Sequence, residues 1–281
     1  MVYLRKTYQC AFLAATLATQ THANCVRETL QEAADNYLAS QYMGMPMMLS
    51  LAPNFSYFEN DKKMDVQAGI INQEFKIDFA RSIIDTAACA TFTEMIIADA
   101  RNPRTIGTQI HYDLSGKTIT KIDSIVAKPG DRFFNATAAL SYALTENWDP
   151  ILESKRDSRS IIKAAGDAYM NRFSSNTTIV PWSHPCGRLE GGMYFDGNQP
   201  NGTCNYGLPS AGLDMGNRRY VIDEVVGVVD IFASSAGNEA KPGLLGSHEF
   251  RIENGKIRYV HTMSRCKDQD SCKTQPGKST F

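Results

Sequence analysis

Ala33-Ala34-Asp35-Asn36-Tyr37-Leu38 and Ala165-Gly166-Asp167-Ala168-Tyr169-Met170 are one phrase written twice, with alanine, aspartate and tyrosine coinciding at a shift of 169 − 37 = 132. Past each phrase comes a proline-containing loop (Pro53, Pro185) and then a glutamate, Glu59-Asn60 or Glu190-Gly191, at a shift of 190 − 59 = 131. A near-constant shift across separate motifs points to duplication. Each phrase lies in an apolar stripe of helical spacing. Leu30, Ala33, Ala34, Tyr37 and Leu38 predict a helix over about 26–41; Ile161, Ile162, Ala165, Tyr169 and Phe173 predict another, starting after Asp157 or Ser158 as N-cap.

Each half then runs to a hairpin. Asn254-Gly255, between Phe250, Ile252 and Ile257, Tyr259, is a strong two-residue turn because both central residues tolerate positive φ. Ser115-Gly116-Lys117, between Ile110, Tyr112 and Ile119, Ile122, is its weaker copy. Strand-like runs at 91–97, 219–222 and 225–232 lie between helix and hairpin. The stretch Leu144 to Ser154, containing Trp148-Asp149-Pro150, reads as a linker and divides the chain into units at 24–150 and 151–281. A sheet must bury one face, and the helix supplies the cover. The expected fold is α+β: two tandem cone-shaped units, each with helices packed in a curved, mostly antiparallel sheet around an apolar interior.

Residues 1–23 carry the Arg5-Lys6 start, the apolar run Cys10 to Leu17 and a small residue at Ala23, which together predict a secretory signal. Its removal leaves 281 − 23 = 258 residues, a net charge of −1 − 2 = −3 and six cysteines, an even set suited to an oxidising compartment. Short separations favour Cys186 with Cys204 and Cys266 with Cys272, leaving Cys25 with Cys89. Glycosylation triplets start at Asn54, Asn135, Asn176 and Asn201. No basic stripe suggests nucleic acid, and past the signal no run approaches the ~20 apolar residues of a membrane span. Phosphate-loop, dinucleotide, nucleophile-elbow and zinc-protease motifs are missing, and no cysteine pair has metal-ligand spacing backed by histidines. Neither a cofactor nor a metal is expected. Partners should be apolar small molecules, and a monomer or a homodimer would both suit the fold.

Four stretches carry a family likeness: Val180-Pro181-Trp182; Pro185-Cys186-Gly187-Arg188-Leu189-Glu190-Gly191-Gly192; Arg218-Arg219-Tyr220-Val221-Ile222-Asp223-Glu224; and Ser247-His248-Glu249-Phe250 through Asn254-Gly255-Lys256 to Tyr259-Val260-His261-Thr262. The first half adds Leu51-Ala52-Pro53 and Cys89-Ala90-Thr91-Phe92-Thr93-Glu94. Over about residues 25–266 the chain resembles a family of secreted fungal proteins bearing an unknown-function domain. The resemblance implies tandem cones similar to nuclear transport factor 2 and polyketide cyclases. Members with an assigned activity look like hetero-Diels-Alderases that join a tropolone quinone methide, formed by dehydration, to a humulene-type sesquiterpene. A binding protein for an apolar molecule and a related isomerase or cyclase are the alternatives.

Such chemistry needs an apolar cavity, hydrogen-bond donors and a general acid. Arg188 and Glu190 share one strand face, as an acid or orienting pair or as an ordinary ion pair. Asp223, among apolar neighbours, is a candidate acid or base; its structural alternative is a salt bridge to a nearby arginine. His261 shares a face with Ile257, Tyr259 and Met263, the face expected inside the cone, as a donor or proton shuttle or as a satisfied core histidine, and His248, on the preceding strand with Phe250 and Ile252, carries the same two readings. Trp182, Tyr194, Tyr220, Tyr259 and Met263 are candidate pocket walls, with core packing as the competing reading. Met43, Met45, Met47 and Met48 suit an irregular apolar surface, a pocket or an interface between the halves, with ordinary gap-filling as the competing reading.

Overall fold

The computed structural model describes residues 25–197, 204–205, 208, 212–235 and 243–266. The segment 1–23, Asn201 and Cys272 lie outside the described residues. The first half opens with α1 (Arg27–Met43) and continues through β1 (Leu51–Glu59), β2 (Lys62–Met64), β3 (Phe79–Asp85), β4 (Ala90–Ile97), β5 (Arg104–Tyr112) and β6 (Ile119–Ala127). After α2 (Ala136–Ala143), the second half repeats the plan. It comprises α3 (Arg159–Arg172), β7 (Trp182–Glu190), β8 (Met193–Asp196), β9 (Gly216–Asp223), β10 (Val228–Ser234), β11 (Leu244–Glu253) and β12 (Lys256–Cys266).

The fold is α+β, with two six-stranded sheets of identical topology, β2-β1-β6-β5-β4-β3 and β8-β7-β12-β11-β10-β9. Pairing is antiparallel except where β1 runs parallel to β6 and β7 to β12. Each helix follows its apolar stripe onto one face of its own sheet. Leu30, Ala34 and Tyr37 pack on Ile106, Ile110 and Ile122; Ile162, Ala165 and Tyr169 pack on Ile222, Ile231 and Phe250. Gly44 ends α1 at φ 63°, where a Cβ would lie 2.6 Å from the Glu74 nitrogen, so glycine alone fits.

The opposite sheet faces meet each other through Ile83, Phe92 and Ile125 against Val221, Phe232 and Met263. A strand such as β10 is therefore buried on both sides, which is why it reads as an apolar run on both faces, interrupted at Asp230, rather than an alternation. Its Val229 and Ile231 face the helix, whereas Val228 and Phe232 face the other sheet. α2 lays Ala136, Ala139 and Ala143 against Ile96 of one half and Leu189 of the other, bridging them. Asn135 caps this helix by accepting from the Ala138 amide at 3.0 Å.

A reciprocal exchange of charges locks the halves. Arg27 on α1 reaches both oxygens of Asp223 at 2.8 Å, while Arg159 on α3 reaches those of Asp85 at 2.6 and 2.7 Å. Asp223 also accepts from the Ile84 amide and Asp85 from the Ile222 amide, both at 2.8 Å. The partners correspond by 159 − 27 = 132 and 223 − 85 = 138, so this is one interaction made twice about a pseudo-two-fold axis.

Cys25–Cys89 and Cys186–Cys204 are disulfides, and Cys266 is disulfide-bonded as well. The methionines after α1 correct the expectation of a pocket or interface. Met43, Met45, Met47 and Met48 are 48, 47, 76 and 48% exposed, because the chain leaves the core at Gly44.

Candidate functional site

One register row carries the polar groups of the second cone. Across the sheet, Glu190 pairs with Thr262, Thr262 with His248, His248 with Ile231 and Ile231 with Tyr220. Three candidates named from sequence, Glu190, His248 and Tyr220, thus share one row on the helix-covered face. Tyr169 of α3 donates to Glu190 Oε1 at 2.8 Å, and Arg188 Nε lies 3.2 Å from the same oxygen. Arg188 is 1% exposed and also donates to the Cys204 carbonyl at 2.8 Å, while its guanidinium lies 4.7 Å from the Phe195 ring centroid.

His248 sits against Tyr169, Phe173 and Phe250, with ring centroids 6.3, 6.2 and 6.5 Å away. Its Nδ1 is 3.3 Å from Thr262 Oγ1, whereas its buried Nε2 has no hydrogen-bond partner among the described residues. Burial pushes its pKa down to about 4, so the ring is neutral at neutral pH. Tyr169 donates to Glu190, and in the tautomer whose Nδ1–H is donated to the Thr262 oxygen, Nε2 is a bare lone pair. Gly246 packs closely against it, since a Cβ there would sit 2.8 Å from Nε2 and 3.1 Å from the Met263 carbonyl, so glycine is required at this position. Buried groups are nearly always partnered, and Nε2 is one of seven buried side-chain atoms without a partner among the described residues and the one that belongs to an imidazole. Trp182 closes the apolar wall, its ring edge-on to Tyr169 at 5.9 Å and its Nε1 donating to Asn205.

The same row in the first cone also holds a carboxylate but no histidine. Its members are Glu59, Ser124, Thr108, Thr93 and Ser82. Tyr37 donates to Thr108 at 2.7 Å, Thr108 and Ser124 are 3.0 Å apart, and Tyr57 stands where Arg188 stands in the second half. The duplicated scaffold therefore keeps a glutamate in both cones, Glu59 and Glu190, but places His248 and Arg188 in the second where the first has Thr108 and Tyr57.

His261 is not inside the cone. Tyr259 pairs with Arg251 while Ile257 pairs with Ile252, so Arg258 is an extra residue in β12. That bulge leaves Ile257 facing the helix and turns Tyr259, His261 and Met263 toward the other sheet. There His261 Nδ1 lies 3.0 Å from both Glu94 oxygens and Nε2 lies 2.7 Å from Glu146. Arg81 Nη2 reaches Glu94 at 2.7 Å and Glu249 at 2.5 Å. Burial alone would lower the His261 pKa, but Glu94 and Glu146 outweigh it and hold it up at about 10. Burial raises Glu249, whereas Glu94 is held low by His261 and Arg81 against its own burial. Donor atoms of Glu94, Glu249 and His261 lie within 4.8 Å of one another, the spacing of a cation site, but the Arg81 guanidinium already binds both carboxylates.

A pH dependence follows. A folded pKa of about 10 against 6.5 means that the His261 contribution is fully present below 6.5 and lost as pH rises through about 10. The thermal midpoint should fall over that window, and His261→Gln should flatten the fall; an unchanged slope in the variant would refute the assignment.

The remaining candidates disperse. Asp223 is taken by Arg27, not by the neighbouring Arg219, which pairs with Asp61 and Asp123. Tyr220 donates to Asp167 at the cone rim, Tyr194 donates to Glu146, and Met263 packs between the sheets. Asn54, Asn135 and Asn176 are exposed. Sequence reading missed Tyr169 and Thr262 as site residues, although the helix phrase and the register of the Asn-Gly hairpin pointed to both.

Residues 155–264 match a family described as a domain of unknown function, DUF8021, so the likeness lies on the second half. No curated protein matches the chain. Among solved structures, an NTF2-like protein from Bacteroides fragilis aligns at 10% identity and a TM-score of 0.21, over 87% of this chain and 98% of that one.

Proposed function

We propose that the second cone is a cofactor-independent site for a small apolar molecule, in which His248 Nε2 takes and returns a proton. The observation that carries this reading is the neutral imidazole with a buried, unpartnered lone pair, backed by the Thr262–Tyr169–Glu190 hydroxyl chain and walled by Phe173, Trp182 and Phe250. The reaction class is isomerisation or cyclisation.

The finer reading rests on the family resemblance: a hetero-Diels-Alderase acting on a hydroxymethyl tropolone and a humulene-type sesquiterpene. His248 would take the ring hydroxyl proton and return it to the departing hydroxyl, releasing water and a quinone methide. Aromatic walls would then hold the alkene against the diene, lowering the entropic barrier. Buried disulfides and exposed Asn54, Asn135 and Asn176 support export and glycosylation. The test is mass spectrometry of products after incubation with both substrates. An adduct formed faster, or with different stereochemistry, than in buffer is expected. Ligand-dependent thermal stabilisation without product would favour a binding protein instead.

A further inference from the structure

The linker between the halves treats the charge cluster as a ligand would. Glu146, its side chain 2% exposed, accepts from His261 Nε2 at 2.7 Å, Trp148 Nε1 at 2.9 Å and Tyr194 hydroxyl at 3.0 Å. Trp148 lays its ring 3.6 Å from the Arg81 guanidinium carbon. On its other contacts it stacks on Tyr259, with centroids 5.7 Å apart and planes at 26°, and meets His261 edge-on at 5.1 Å. Neither linker residue belongs to a helix or strand, and their neighbours Thr145, Asn147 and Asp149 are exposed. The sheets alone set Arg81 and His261 against Glu94 and a Glu249 whose ionisation burial opposes. An uncompensated buried cation is costly, and the three donors that converge on Glu146 suit an anion at that place.

We propose that Glu146 and Trp148 are a built-in ligand. They fill a site formed by Arg81, His261, Tyr194 and Tyr259 that suits a planar aromatic anion, and such an anion displaces them. The carboxylate of that ligand would take the three-donor place of Glu146, and its ring the slot between Arg81 and Tyr259. This site lies on the face of the second sheet opposite the cone, so its occupancy is independent of the His248 chemistry.

The experiment is calorimetric titration of the full protein with benzoate, using benzamide as the uncharged control. Wild type, Glu146→Gln and Glu146→Gln/Trp148→Gly are compared. Saturable benzoate binding is expected in the wild type, tightening at least about tenfold in both variants because the competing internal ligand is weakened or removed. Benzamide should gain no such factor. Should the double variant fail to fold, Glu146→Gln, which keeps the shape of the side chain, decides alone. No benzoate binding by the wild type, or equal tightening for benzoate and benzamide, would overturn the proposal.

Discussion

Asp223→Ala should lower stability by about 3–5 kcal/mol, and Asp85→Ala should match it within about 1 kcal/mol. Each carboxylate is 0–1% exposed and receives a bidentate arginine from the other half's helix plus a backbone amide from the other half's strand. Truncation strands a buried amide and a guanidinium that is only about one-third exposed at 32 or 35%. Paired denaturant titrations would measure both effects. A loss under about 1 kcal/mol in either variant would mean that water replaces the carboxylate at that end, and would break the equivalence of the two clamps.

The second large effect is on chemistry. His248→Gln should reduce the rate of the proton-transfer step by about 10²–10⁴, the usual worth of a positioned acid–base group, while leaving the fold intact. The pH profile separates this from a structural role. With a pKa near 4, the base is unprotonated down to mildly acidic pH, so the wild-type rate should be flat near neutrality and fall as pH drops through about 4. A wild-type rate that instead titrated near the ordinary histidine value would remove His248 from the mechanism. Gly246→Ala supplies a second probe, because its methyl would lie 2.8 Å from Nε2 and force the imidazole to shift, so the rate should fall with the histidine still present.

The sequence made the repeat legible because its signals are local. Helical spacing placed α1 and α3, and Asn254-Gly255, at φ 54° and 70°, made the hairpin that sets the register of β11 and β12. That register is what brings His248 beside Thr262. Strict alternation misplaced His261, because one bulged residue at Arg258 inverts the facing of everything after it. Helix α2 went unread because Asn135 was taken only as a glycosylation triplet, though the Asn-Ala-Thr-Ala-Ala run is also a capped helix start. Arg81, Glu94 and Glu249 gave no signal at all. A charged residue in a strand looks solvated until a second sheet is laid over it, and that information is held in tertiary packing.

The exchanged arginines of α1 and α3 also bear on ancestry. A contact in which i meets j while j′ meets i′ is the geometry of an isologous interface, the kind that two identical subunits make. The halves therefore sit as a homodimer does, with Leu144 to Ser154 as the tether that made the pair permanent. A symmetric dimer must mutate both of its copies together; a fused one need not. Once joined, the copies were free to differ: both keep the glutamate, Glu59 and Glu190, while Thr108 and Tyr57 stand in one where His248 and Arg188 stand in the other.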